Sequence, residues 1–306
     1  MTDPGASGVA GAADPAAAAA PRVDPGLGPA PARRSRWMDL KARVLAGLVL
    51  AALAFVLLYA GQKPFAALVM VVAVVMSWEW GRMVRGASLD LSFTIKALAM
   101  IGAVLLSVSG MPALGLAVVV IGAIVVLALG FGEGTAGLSA QGVLYAGIPA
   151  VTLLWFRGDG DLGFWAVLLV VACVVATDTA AFFAGRQIGG PKLWPAVSPN
   201  KTWSGLVGGV SASAVAGALM TFGVPAASTP RLALIGLGLG LVAQAGDLFE
   251  SALKRLFGVK DSSGLIPGHG GVMDRMDGIV AAAIAAGVLA TTVNPQTPAR
   301  ALLLGW

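Results

Sequence analysis

Charge is scarce in this chain. Only 11% of its 306 residues are Asp, Glu, Lys or Arg, while 58% are hydrophobic and the mean hydropathy is +0.87. Soluble domains carry about 25% charged residues. A surface this apolar excludes a water-soluble globule. Cysteine is almost missing as well. Cys173 stands alone, which excludes an intrachain disulfide framework, and within its apolar run it reads as a small buried hydrophobe. Residues 1–36 hold no apolar run and hence no signal-peptide core. Their Ala/Pro/Gly-rich composition, without periodicity, predicts a disordered tail. No internal repeat shows. The net charge of +5 raises a nucleic-acid partner, but the basic residues are scattered at the edges of apolar runs. Membrane topology accounts for them, and no nucleic acid is expected.

What the chain has in abundance is apolar runs of about 18–22 residues, long enough to cross a hydrocarbon core of about 30 Å. Backbone polar groups in lipid must be satisfied within the segment, so these runs are helices. The expected fold is therefore all-α, a polytopic transmembrane bundle occupying residues 37–306. Nine spans are expected near 43–60, 64–81, 94–110, 112–130, 139–156, 162–184, 205–224, 231–253 and 276–293. Frequent Gly and Ala in the last three predict close helix packing through small residues, with a homodimer as a further expectation. Six basic residues lie before or at the first position of the first span, three (Arg82, Arg85 and Lys96) lie from the end of the second span to the start of the third, three between the sixth and seventh, and four between the eighth and ninth. The opposite side holds only Lys63, Arg157, Arg231 and Arg300. The positive-inside bias puts the N-terminus and the late charged loops in the cytoplasm of a multi-pass inner-membrane protein.

The scarce charge gathers late. Asp261, Asp274 and Asp277, and the lone His269, fall within the stretch SALKRLFGVKDSSGLIPGHGGVMDRMD from Ser251 to Asp277, and Asp247 and Glu250 stand just before it. Asp247/Glu250 and Asp274/Asp277 are each three residues apart, so each pair shares a helix face. The apolar runs put these pairs at adjoining ends of two spans. Carboxylates so placed suit Mg²⁺, which takes one or two of them plus substrate phosphates. Lys254, Arg255, Lys260 and Arg275 are interleaved with the acids and supply the fixed cations a polyphosphate needs. Gly264, Gly268, Gly270 and Gly271 permit a tight loop that offers backbone N–H groups to an anion. The preceding charged loop, ATDTAAFFAGRQIGGPKLWPAVSPNKTWSG, ends a span on Asp178 and then presents Arg186, Lys192, Lys201 and Thr202.

Plainer readings stand beside these. Lys254, Arg255 and Arg275 also read as positive-inside anchors, and His269 as a loop histidine with a local hydrogen bond. Asp178 reads equally as a structural partner of Arg186, and Glu79 as an interfacial partner of Arg82. Acids at several helix edges beside basic loops are hard to explain as anchors, and spacing alone names no reaction.

The pattern S-x-L-K-R-x4-K-D-x-S-x2-I-P-x-H-G-G-V-x-D-R-M-D over 251–277 resembles the signature of the phosphatidate cytidylyltransferases, or CDP-diacylglycerol synthases. GDLFE at 246–250 and SPNKTWSG at 198–205 resemble that family too, and the likeness is strongest from about 176 to 280. Ser204 and Gly278 depart from it, where the family commonly has Glu and Ser. The resemblance implies a membrane enzyme that makes CDP-diacylglycerol and pyrophosphate from CTP and phosphatidic acid, the first committed step to phospholipids made through that intermediate. It implies metal aspartates at Asp247, Asp274 and Asp277, holding Mg²⁺ with a monovalent cation such as K⁺ beside it.

Joined to the residue reading, it gives catalytic roles to Asp247, Asp274, Asp277, Lys254, Lys260, Asp261, His269 and Arg275. Substrate binding falls to Asp178, Lys201, Thr202, Ser251, Arg255, Gly270 and Gly271. A transporter would spread its acids through mid-membrane, and these cluster at span ends. A CDP-alcohol phosphotransferase would follow its D-G-x2 with A-R, which the D-R-M-D-G here lacks.

Overall fold

Apolar helices make up most of the described residues. A computed structural model describes residues 36–86, 89–132, 134–266 and 270–306, with side chains of the first helix described from residue 45. The expected tail and His269 lie outside the described residues, apart from residue 36 at the tail's end. Ten α-helices follow one another: α1 (Arg36–Ala60), α2 (Gln62–Arg85), α3 (Leu91–Val108), α4 (Pro112–Leu129), α5 (Ala136–Arg157), α6 (Gly163–Gln187), α7 (Trp203–Leu219), α8 (Thr229–Leu256), α9 (Met273–Val293) and α10 (Pro298–Leu303). Eight elements are long and apolar enough to span a bilayer, and the apolar segment Leu45–Ala60 of α1 is the shorter ninth. This is the expected polytopic helical bundle.

Two features were not expected. An antiparallel hairpin, β1 (Lys192–Trp194) and β2 (Ser198–Thr202), pairs Lys192 with Thr202 and Trp194 with Ser198 between α6 and α7. The short α10, with Leu302 and Leu303 fully buried, closes the chain against α9.

Local chemistry marks the helix ends. Asp90 caps α3 by accepting the Phe93 N–H at 2.7 Å, and the Thr202 hydroxyl caps α7 by accepting the Gly205 N–H at 3.1 Å. Pro112, Pro230 and Pro298 fall in the first turns of α4, α8 and α10, where a missing N–H does no harm. Val272, which precedes α9, gives no side-chain cap of its own.

The helices pack in two groups. Helices α2 to α5 pack on one another, α6, α7 and α8 form a close trio, and α9 touches α2, α5, α6 and α8 between them. The trio is tight because its crossings are backbone on backbone. A Cβ at Gly217 would strike the Leu232 carbonyl, one at Gly236 the Ser213 carbonyl, and one at Gly209 would lie 2.7 Å from the Thr177 carbonyl. The small residues of α7 and α8 are thus taken up inside the chain. Cys173 is fully buried in this trio, its thiol 3.7 Å from the Ser213 carbonyl. Many outward side chains on α1 and α4, such as Leu48, Phe55, Ile121 and Ile124, are exposed and apolar, as a lipid-facing surface requires.

Candidate active site

The loop between α8 and α9 is folded around a carboxylate. Asp274, in the first turn of α9, accepts the Ser262 N–H at 3.0 Å and the Gly271 N–H at 2.8 Å, while its other oxygen accepts the Lys254 ammonium at 2.8 Å. Lys254 also donates to Glu250 at 3.2 Å, one turn back on α8. Ile266 donates to the Gly270 carbonyl at 2.9 Å, which closes the loop tip on itself. Gly270 has φ +82, and a Cβ there would lie 2.8 Å from the Asp274 carboxylate. Conformation and space both demand glycine at this point.

A second carboxylate holds the same loop from across the molecule. Glu79 of α2 is fully buried and accepts the Ser263 hydroxyl at 2.5 Å, the Val272 N–H at 2.9 Å and the Met273 N–H at 2.6 Å. It supplies the cap that α9 lacks, and its negative charge sits at the positive end of that helix. The expected Glu79–Arg82 pair is therefore overturned: Arg82 is exposed and lies over the Trp78 ring, 5.0 Å from its centroid. An acid in a hydrophobic helix goes where several donors converge, and here two N–H groups at the start of α9 meet the Ser263 hydroxyl of the loop.

The remaining acids line α8 and α9 beside this knot. Asp247 accepts Lys201 at 2.6 Å and Ser251 at 3.3 Å. Lys201, on β2, also donates to Gln244 at 3.1 Å, and Gln244 donates to Asp178 at 3.3 Å. This chain of contacts carries the hairpin onto α8 and α6. Asp178 thus pairs with an amide; Arg186 makes no ion pair among the described residues and lies over the Phe182 ring. Asp277 accepts the Gly278 N–H at 2.7 Å and lies within hydrogen-bonding reach of Glu250. The second Glu250 oxygen is buried and has no donor among the described residues. Two facing carboxyl groups need a proton or a cation between them. The Tyr145 hydroxyl, also buried and without a partner among the described residues, sits in the field of Glu250, Asp277, Asp247 and Asp274, with its ring 5.0 Å from that of Trp80.

Residues 41–293 match the model of the cytidylyltransferase family. The chain belongs to that family. It is 40% identical to a phosphatidate cytidylyltransferase of Brucella suis over 251 residues, covering 80% of this chain and 91% of that protein. A Bacillus subtilis protein of the same name is 32% identical over 260 residues, covering 78% and 93%. A third, from Rickettsia bellii, is 38% identical over 147 residues, or 45% and 63%. The expectation drawn from the 251–277 pattern holds at the level of the family.

Seen as a cytidylyltransferase, the chain brings most of its singled-out residues to one end of the bundle. Asp274, Lys254 and Gly271 share one hydrogen-bonded group that reaches Asp277 through Glu250, Gly270 borders it, and Asp247, Lys201 and Ser251 form a second group beside it, with Asp247 in the electrostatic field of Asp277. Thr202 is buried as the α7 cap and touches Ser204 at 3.0 Å, so its hydroxyl faces the helix. Arg255, Lys260, Asp261 and Arg275 are exposed around the network's rim. Ser204, one of the two departures from the family pattern, donates to the Gly189 carbonyl and closes the base of the hairpin. Gly278, the other, packs against Val174, where a Cβ would lie 2.9 Å away.

Sequence reasoning missed Gln244 and Tyr145 and gave Glu79 the wrong partner. An acid two turns from the end of an apolar helix was the available signal for Glu79. For Gln244, one turn before Asp247, the helical spacing was there to read.

Proposed function

We propose that this chain is a CTP:phosphatidate cytidylyltransferase, which converts CTP and phosphatidic acid into CDP-diacylglycerol and pyrophosphate. The observation that carries the reading is the gathering of Lys201 and Lys254 with Asp247, Glu250, Asp274 and Asp277 at one end of the bundle. Relatives called phosphatidate cytidylyltransferase align with the chain over nine tenths of their length.

In this reading a phosphate oxygen of phosphatidate attacks the α-phosphorus of CTP. The new P–O bond forms as the bond to the β-phosphate breaks, and pyrophosphate leaves. A phosphate monoester has its second pKa near 6, so the nucleophile is largely dianionic at neutral pH and needs no strong base. Catalysis is then positioning and charge neutralisation. Lys201 and Lys254 sit at the centre of the network and face the polyphosphate, while Arg255, Lys260 and Arg275 neutralise charge from the rim. Asp261 and His269 hold phosphate or loop geometry rather than take a proton.

The donor set fits a hard divalent cation such as Mg²⁺. All of its atoms are carboxylate oxygens, and one buried Glu250 oxygen lacks a donor beside Asp277. Among the described residues no three such side chains grip an ion as they stand, in keeping with a metal that shares its shell with substrate phosphates. Asp247 and Asp277, with Glu250 between them, would hold it. Asp274 would join as the third ligand by releasing Lys254 or a backbone N–H. Bound there, the ion would neutralise charge on the phosphates; a monovalent cation beside it belongs to the same proposal.

The bias of basic residues supports an inner-membrane protein whose site faces the cytoplasm, where CTP is soluble and lipid can enter between helices. The test is transfer of radiolabel from α-labelled CTP to phosphatidate by the purified protein in detergent with Mg²⁺. Label in the lipid fraction is expected, and its absence from a folded preparation overturns the reading.

A further inference from the structure

A second cluster of polar groups lies away from the acids, where α2 gives way to α3. Arg85, in the last turn of α2, holds Asp90 at 2.6 and 2.8 Å through one terminal nitrogen, and its side chain is only 14% exposed. Its Nε has no acceptor among the described residues. On α3, Ser92 and Lys96 are four residues apart and share a face. The Ser92 hydroxyl and the Lys96 ammonium are buried and have no partner among the described residues, and Lys96 is fully buried. Lys96 lies in the electrostatic field of both Arg85 and Asp90. Two cations thus meet one carboxylate, which is already committed to Arg85 and to the α3 cap. Among the described residues one positive charge and three donors are left over.

An isolated buried ammonium is strongly disfavoured unless an anion satisfies it. The vacant donors are of three kinds, a guanidinium edge, a hydroxyl and an ammonium. Together they suit an acceptor with several oxygens pointing in different directions, which describes a phosphate. We infer that Arg85, Ser92 and Lys96 form a phosphate-binding site, distinct from the carboxylate cluster, whose ligand is a phospholipid headgroup phosphate or free phosphate. The same helix places it beyond Glu79, toward the loop that joins α2 to α3. Arg85 follows Glu79 by six residues, about 9 Å along the axis at 1.5 Å per residue. The inference does not depend on the cytidylyl-transfer reaction.

The test uses the full-length protein in detergent with two probes. Inorganic phosphate is titrated while thermal unfolding is followed, since a ligand that binds only the native state raises Tm. Phosphatidylglycerol, which is not the proposed substrate, is added before native mass spectrometry, and retained lipids are counted. Wild type is expected to show a phosphate-dependent rise in Tm, one strongly retained phosphatidylglycerol, or both, and Lys96→Met is expected to lose that response. A response to lipid alone assigns the headgroup, and a response to phosphate alone assigns the free anion. No response in wild type, or the same response in Lys96→Met, overturns the site. Should Lys96→Met fail to fold, Ser92→Ala carries the test. It keeps both charges, and the response should then require severalfold more ligand.

Discussion

The Glu79 carboxylate accepts the Met273 N–H at 2.6 Å, joining residues 194 positions apart in the sequence. With the Val272 N–H and the Ser263 hydroxyl it forms the cap of α9. Glu79→Gln keeps the shape but turns an amide donor toward backbone donors. It should lower stability by about 2–4 kcal/mol, as expected when a buried charged network loses one member. Arg82→Ala should leave stability within about 0.5 kcal/mol, because that side chain is exposed and bonds nothing in the cap. Thermal unfolding of the two variants checks the contrast, and equal losses would restore the Glu79–Arg82 pairing.

Asp274→Asn should abolish CMP transfer in protein that still folds, because the neutral amide leaves Lys254 paired with Glu250 alone. Near-normal activity would remove Asp274 from the site. A double-mutant cycle with Lys254→Met, read as unfolding free energy, should show coupling of about 1–3 kcal/mol, the range for partners in one network.

Lys201→Ala should raise the KM for CTP about ten- to a hundredfold, the equivalent of losing one charge-assisted hydrogen bond to the nucleotide. Because Lys201 also bonds Asp247 and Gln244, Gln244→Leu should move KM in the same direction by less. An unchanged CTP response in Lys201→Ala would exclude it from the substrate site.

Gly271→Ala should abolish activity and sharply reduce folded yield. A Cβ there would collide with the Ser262 hydroxyl and lie 2.5 Å from the Glu79 carboxylate. Adding Ser262→Ala removes only the first collision and should not restore yield. Recovery in the double variant would show that Glu79 can move.

Much of the fold and part of the site were legible in the sequence, for reasons that differ residue by residue. Apolar runs report spans directly, because every residue of a span faces lipid or another helix. Asp247 and Asp277 were visible because acids at span ends are rare and costly. Lys254 stood beside them in the sequence, so its contact with Asp274 needed only two helices meeting at their ends. Glu79 was misread for the opposite reason: its partners are backbone amides far along the chain, and a local cation offered a nearer answer. The hairpin stayed hidden in the charged loop because β1 is three residues long and its pairing with β2 is irregular. Tyr145 carried no signal at all, since a tyrosine in an apolar helix resembles any other interior aromatic.

The Glu79 cap has a bearing on how such an enzyme can be taken apart. The late segment, from α6 onward, carries nearly all the residues proposed for the chemistry, yet the anchor of its loop lives on α2. That segment is not a transplantable cassette. Grafted onto another membrane scaffold, it would carry the acids and lysines intact and leave two N–H groups at the start of α9 and the Ser263 hydroxyl without their acceptor. A chain divided between α5 and α6 should work only when both fragments are made together, with α2 acting as the clasp.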